Sequence, residues 1–204
     1  MVDRVKTNKG FWVGRYETSN MSSSDTNDTT QQINVVKGTT TGISGMDWYR
    51  MYAQQKSYSK LALGSTTATI SSMVWGSQWD QIMIWMRNVK NERVTTNGNY
   101  FVINSVGYGN YGSISGAESY DTATSTSSPA VTGSSDYFKV KNIYDLAGNV
   151  YDWTLEAYNT SARVHKGGDY DSTHSSYTRA DFRNYNHGSP YFTYSFLGSR
   201  PTLY

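Results

Sequence analysis

The 204 residues, enough for one large domain or two small ones, carry 18 basic and 16 acidic side chains and a net charge of +2, and no Lys/Arg cluster gives the electrostatic footprint of a nucleic-acid binder. Charged residues are only 17% of the chain and aromatics 15%, with eighteen Tyr and six Trp, which excludes a charged helical bundle. Cysteine is absent, so disulfides, thiolate metal ligands and a cysteine nucleophile are excluded too.

Along the chain, Phe11 to Glu17 is aromatic and β-branched enough for a strand, and the polar run Thr18 to Gln32 reads as a loop. From Met46 to Tyr58, Trp48, Met51 and Tyr52 recur at helical spacing behind Asp47, whose charge suits a helix N-terminus. Trp75, Trp79, Ile82, Met83 and Met86 repeat that spacing, and Arg87 and Lys90 suit a C-terminus, so a second helix is predicted over about Ser77 to Val89. Asn99 to Ile103 is a short strand candidate, and the Gly/Ser/Thr-rich stretch Gly107 to Ser135 reads as a surface excursion. Two helices followed by loops and short strands give an α+β class with much irregular structure. No run of 18 apolar residues and no signal-peptide core follows Met1, so a soluble chain without membrane insertion is expected.

Gly107-Tyr108-Gly109-Asn110-Tyr111-Gly112 satisfies G-x-G-x-x-G, but Ser113-Ile114-Ser115-Gly116 does not open a helix whose amides could meet a pyrophosphate. A tyrosine/glycine surface loop is the expectation there. His165, His174 and His187 lie near Asp169, Asp171 and Asp181 without any metal-ligand spacing, so polar surface residues are expected and no cofactor or metal. Asp80, Asp145 and Asp152 supply carboxylates, yet no spacing marks an acid/base pair.

Asn142-Ile143-Tyr144-Asp145-Leu146-Ala147-Gly148-Asn149-Val150-Tyr151-Asp152-Trp153-Thr154 resembles the N-x-x-D-M-x-G-N-V-W-E-W-T signature of formylglycine-generating enzyme and its relatives. In the same order, Phe11 to Glu17 resembles the family's opening strand, Trp75 to Met86 its tryptophan-bearing helix, and Arg163 to Gly168 its R-V-x-R-G-G segment. Arg179, Arg183, Pro190 and Gly198-Ser199-Arg200-Pro201 also fit, with Ser199 in place of the usual aromatic. The resemblance implies a C-type-lectin-like fold over a single domain, residues 1–204. Physically the signature reads as scaffold: Gly148-Asn149 makes a tight turn, and Val150 and Trp153 bury an apolar face. The family's oxidase chemistry needs two copper-binding cysteines, and Ser172 and Tyr177 stand near those positions. That activity is therefore not inherited.

Asp169 to Phe196 holds 28 residues, twenty of them Asp, Asn, Ser, Thr, Tyr or His, and lacks Lys, Glu, Gln, Met and Trp altogether. About five of those five types would be expected from their frequency elsewhere. Replacing the adenines of AAC or AAT codons at random reaches the residues found and never the five missing ones. The stretch thus resembles the variable segment written by diversity-generating retroelements into C-type-lectin-like display proteins. Tyr170, Tyr177, Tyr185, Tyr191 and Tyr194 would be the anchors, each offering a large contact face at low rotamer cost. Asp171, Thr173, His174, Ser175, Asp181, Asn184, Asn186, His187 and Thr193 would tune polarity around them. Gly167, Gly168, Arg179, Arg183, Gly198 and Arg200 match the family framework.

The expectation is a non-enzymatic display protein whose segment 169–196 binds a protein or carbohydrate ligand, at a cell surface or on a phage particle. A fixed-specificity lectin-like or enzyme domain is the alternative, and a structural particle component a third. A catalytic site should concentrate perturbed titratable groups in a pocket, whereas a display surface should be broad, exposed and tyrosine-rich.

Overall fold

The computed structural model describes residues 2–18, 37, 46–64, 69–88, 105, 108–111, 129–171, 179–186 and 188–204. Helix α1 (Val2–Asn8) precedes the first strand, β1 (Trp12–Val13). Helix α2 (Trp48–Leu63) starts where Asp47 accepts a hydrogen bond from the Arg50 amide at 2.9 Å and stops at Gly64, whose φ of 63° only a left-handed cap requires. Helix α3 (Gly76–Asn88) begins where the Gln78 side chain reaches back to the Trp75 amide at 2.9 Å, half of a capping box. Both predicted helices are therefore present, with ends within a few residues of the expected ones apart from the longer C-terminal end of α2.

Strand β2 (Ser71–Met73) and the terminal β9 (Pro201–Leu203) form a three-stranded sheet with β1, ordered β1-β9-β2 and antiparallel throughout. Strands β3 (Lys139–Val140) and β4 (Ile143–Tyr144) make a hairpin whose central residues, Lys141 and Asn142, both have positive φ, as a type I′ turn demands. The larger sheet runs β7 (Arg183–Asn184), β6 (Arg163–Lys166), β5 (Tyr151–Ala157) and β8 (Leu197–Gly198). In it β5 and β6 are antiparallel with Trp153 opposite His165 and a register shift before Ala157, while β5 and β8 are parallel.

Two apolar clusters hold these layers together. One gathers Val74, Trp79, Ile82, Met83, Met86 and Leu146 between α3 and the signature segment. The other packs Met46, Trp48, Met51, Met73, Trp153 and Leu197 under α2. The helical apolar stripes read from the sequence are thus the buried faces, except that Trp75 is exposed and Tyr52 half-buried. Among the described residues no helix is long and apolar enough to cross a membrane.

The signature is scaffold in detail. Gly148 and Asn149 both adopt positive φ, and a Cβ on Gly148 would come within 2.3 Å of the Asn110 carbonyl oxygen, so only glycine fits. The Asn149 side chain donates to Glu17 and accepts from the Ala130 amide, while Asp145 accepts from Asn110, Thr132 and the Gly133 amide at 2.9–3.0 Å. Val150 and Trp153 are buried, as expected.

Two expectations are corrected. A helix, not a strand, comes first, because Val2–Asn8 is too short to show a stripe. Tyr108, Asn110 and Tyr111 are buried, not a surface loop: Tyr108 bonds Ser105, and Asn110 bridges to Gly148. The strand candidate Asn99 to Ile103 and all of Thr18 to Gln32 beyond its first residue lie outside the described residues.

Candidate ligand-binding face

Arg200 is fully buried in a polar knot. Its Nε donates to Asp152 Oδ2 at 2.6 Å, its Nη1 to the Tyr144 carbonyl at 3.1 Å and its Nη2 to the Asp145 carbonyl at 2.8 Å. Glu17 approaches the same guanidinium to 4.0 Å. Burial raises the pKa of Glu17 and Asp145 and holds Asp152 at about 6 against the pull of Arg200. These perturbed carboxylates are sealed at 1% exposure or less, so no ligand in solvent can touch them. Ser199 is buried beside the knot, its Oγ accepting from Gln55 Nε2 at 2.7 Å.

Strand β7 is clamped by the other framework arginine of its segment. Arg183 pairs with Asp80 of α3 and with Glu156 of β5, each at 2.9 Å. Arg179 makes a two-pronged pair with Asp181 at 2.7 and 2.8 Å, the geometry a guanidinium fork favours. Between them Ala180 is buried, its carbonyl accepting from Trp79 Nε1 at 2.8 Å. Residues 180–183 are therefore tied to α3 through Trp79, Asp80 and Arg87.

Gly188 turns the chain back across β6. Its carbonyl accepts from the Arg163 amide at 2.6 Å, and an added Cβ would lie 2.5 Å from the carbonyl oxygens of both Arg163 and Tyr185. Pro190 then docks on α2, accepting from the Trp48 amide at 2.9 Å. His165 is not a surface residue but fully buried, its ring set against Tyr151 and Trp153 and its Nε2 2.8 Å from the Asn186 carbonyl. It holds the segment from beneath rather than facing a ligand. Among the described residues no group of three or more His, Asp or Glu side chains converges for a metal.

On this frame the rings face outward. Tyr185 stacks flat on Tyr158 with centroids 3.7 Å apart, and its hydrogen bond raises the Tyr158 pKa. The Arg163 guanidinium lies 5.0 Å over Trp48, Trp48 meets Tyr49 edge-on, and Tyr49 leans on Tyr191 at 5.4 Å. Phe192, Tyr194 and the half-buried Phe196 form a separate group through contacts of 5.1 and 4.9 Å. Tyr191 is 72% exposed, and Tyr185, Tyr194, Tyr49 and Tyr158 are exposed as well.

Of the residues named from the sequence, Asp171, Tyr185, Asn186, Tyr191, Thr193 and Tyr194 are exposed and Asp181 half-buried. Tyr170 and Asn184 are buried: Tyr170 bonds Ser195 at 3.2 Å, and Asn184 accepts from the Asn186 amide at 2.8 Å. These two belong to the support, because their polar atoms close the turns beneath the face. Thr173, His174, Ser175, Tyr177 and His187 lie outside the described residues. Sequence reading missed Tyr49, Tyr158 and Phe192. Tyr49 sits on a helix and Tyr158 beyond β5, and only the folded chain brings them against the segment.

No family model matches the sequence, and no curated protein does. Solved structures share the fold, two of them as follows. Treponema denticola variable protein 1 is 16% identical with a TM-score of 0.54, over 79% of this chain and 70% of that one. PvdO from Pseudomonas aeruginosa is 12% identical with a TM-score of 0.52, over 99% and 75%. The architecture is α+β, C-type-lectin-like.

Proposed function

We propose that this chain is a non-enzymatic display protein that binds an external ligand through the aromatic face, and that residues 169–196 are its exchangeable part, diversified by a retroelement. The observation that carries the reading is the set of exposed rings, Tyr185 on Tyr158, Tyr191 against Tyr49 and Phe192 against Tyr194, on backbone tied down by buried residues. A surface ordered before binding loses less entropy when a ligand arrives. The residue set of the segment and the fold shared with a variable protein support it. The position of the perturbed carboxylates, sealed around Arg200 and away from the face, favours binding over catalysis.

Tyrosine with Ser, Asn and Thr suits either a protein surface or a carbohydrate, since stacking and adaptable hydrogen bonds serve both. Such a ligand would be met at a cell surface, with this chain carried there or on a phage particle. The test is genetic: sequence the DNA around the gene for a reverse transcriptase and a near-copy of the stretch encoding Asp169 to Phe196 that differs at adenines of the copy. Finding both supports diversification. Their absence removes the cause of the residue bias and leaves a fixed-specificity lectin-like or enzymatic domain.

A further inference from the structure

Away from the aromatic face, β1, α3 and the β3–β4 hairpin enclose a groove of about 630 Å³, a volume typical of small-molecule sites. Its walls are Phe11, Trp12, Val13, Ile82, Trp85 and Ile143. Trp12 is 78% exposed and Trp85 41%, so two of the chain's six indoles stand in water where a ligand could cover them. The charged side chains on the lining are Arg15 and Lys141, and no carboxylate is among the described lining residues.

Both cations are held at one rim. Arg15 Nη2 donates to Asn142 Oδ1 at 3.5 Å, beside the turn that carries Lys141, and the Lys141 ammonium lies 5.6 Å over the Trp85 ring. Among the described residues Arg15 has no carboxylate within ion-pair distance. Its guanidinium fork matches an acid group.

We infer that this groove is a second, independent binding site for a small amphiphilic anion, with an aromatic or aliphatic body over Trp12 and Trp85 and a carboxylate or sulfonate against Arg15 and Lys141. Apolar walls supply contact area, and the paired positive charge at one rim fixes the orientation. A neutral body of the same size forfeits the rim.

Titration of the full chain with 8-anilinonaphthalene-1-sulfonate, read by dye fluorescence, tests this. One saturable site per chain is expected, with affinity that falls as salt is raised. Replacing Arg15→Gln and Lys141→Gln together should weaken the dye about tenfold and leave the uncharged N-phenyl-1-naphthylamine unaffected. Trp12→Ala should weaken both, and Tyr191→Ala neither. Circular dichroism checks folding, and should the double variant unfold, the salt series on the unaltered chain still decides. The proposal falls if the dye does not saturate, if its affinity ignores salt and the rim charges, or if Tyr191→Ala abolishes it. It also falls if light scattering finds a dimer that Trp12→Ala dissociates, since a second copy would then be the occupant. Because the Tyr191→Ala arm separates the two faces, failure here leaves the reading of the aromatic face untouched.

Discussion

Arg200 illustrates how much one side chain can hold: Asp152, three backbone carbonyls and, at longer range, Glu17 all face its buried guanidinium. Arg200→Met would leave those acids buried without a counter-charge, and a loss of about 3–5 kcal/mol is expected in denaturant unfolding. The same knot gives an unusual pH dependence. Asp152 titrates at about 6 when folded and near about 3.9 when unfolded. The folded state therefore binds the proton more tightly, and between those values stability falls as pH rises. Burial moves Glu17 and Asp145 in the same direction. Thermal melts should thus show a higher Tm near about pH 4.5 than near about pH 6.5. Further acidification acts the other way through Asp136, which Tyr144 and Lys139 hold down at about 2 and whose contribution is lost as it protonates. Tyr185 is the contrasting residue, exposed and stacked on Tyr158. Tyr185→Ala should cost about 0.5–1.5 kcal/mol, a small loss in thermal unfolding. A loss several times larger would make it a core residue and remove it from the face.

Among the elements, the turn between β7 and the rings depends on Gly188. Its φ is not in the left-handed region, so alanine's backbone would be comfortable there and the obstacle is contact with two carbonyl oxygens. Gly188→Ala should therefore cost about 1–3 kcal/mol in chemical unfolding and disturb Tyr185 by moving the strand edge beneath it. Helices α2 and α3 were legible because Trp48, Met51, Trp79, Ile82, Met83 and Met86 repeat at helical spacing and are buried. The Gly148-Asn149 turn was legible because a backbone approach of this kind admits few residues. Helix α1 was not, since seven residues leave no stripe to read. Tyr108 and Tyr111 were misread because a Gly/Tyr/Asn stretch has the composition of an exposed loop, and only the pairing of Asn110 with Gly148 draws it inward. His165 was misread for a similar reason: its partners Tyr151, Trp153 and Asn186 come from other strands and turns.

For the whole molecule, support and surface are separable. Changing Tyr185, Tyr191, Thr193 and Tyr194 to Ser together should lower Tm by less than about 8 °C, whereas Arg200→Met alone should exceed that. A scan of melting temperatures over both variants checks the division, and a collapse of the quadruple variant would deny it. The residue set singles out 169–196 in the sequence, but no sequence signal marks Tyr49 and Tyr158, which meet that stretch only through ring contacts across the fold. The position of β9 makes folding depend on the last residues synthesised. This strand lies between β1 and β2, and Arg200 immediately precedes it. Both are synthesised after residues 169–196, so a frameshift or premature stop within that stretch removes the centre of one sheet and the counter-charge of the buried acids at once. A truncated copy would then fail to fold outright rather than fold into a weakened form.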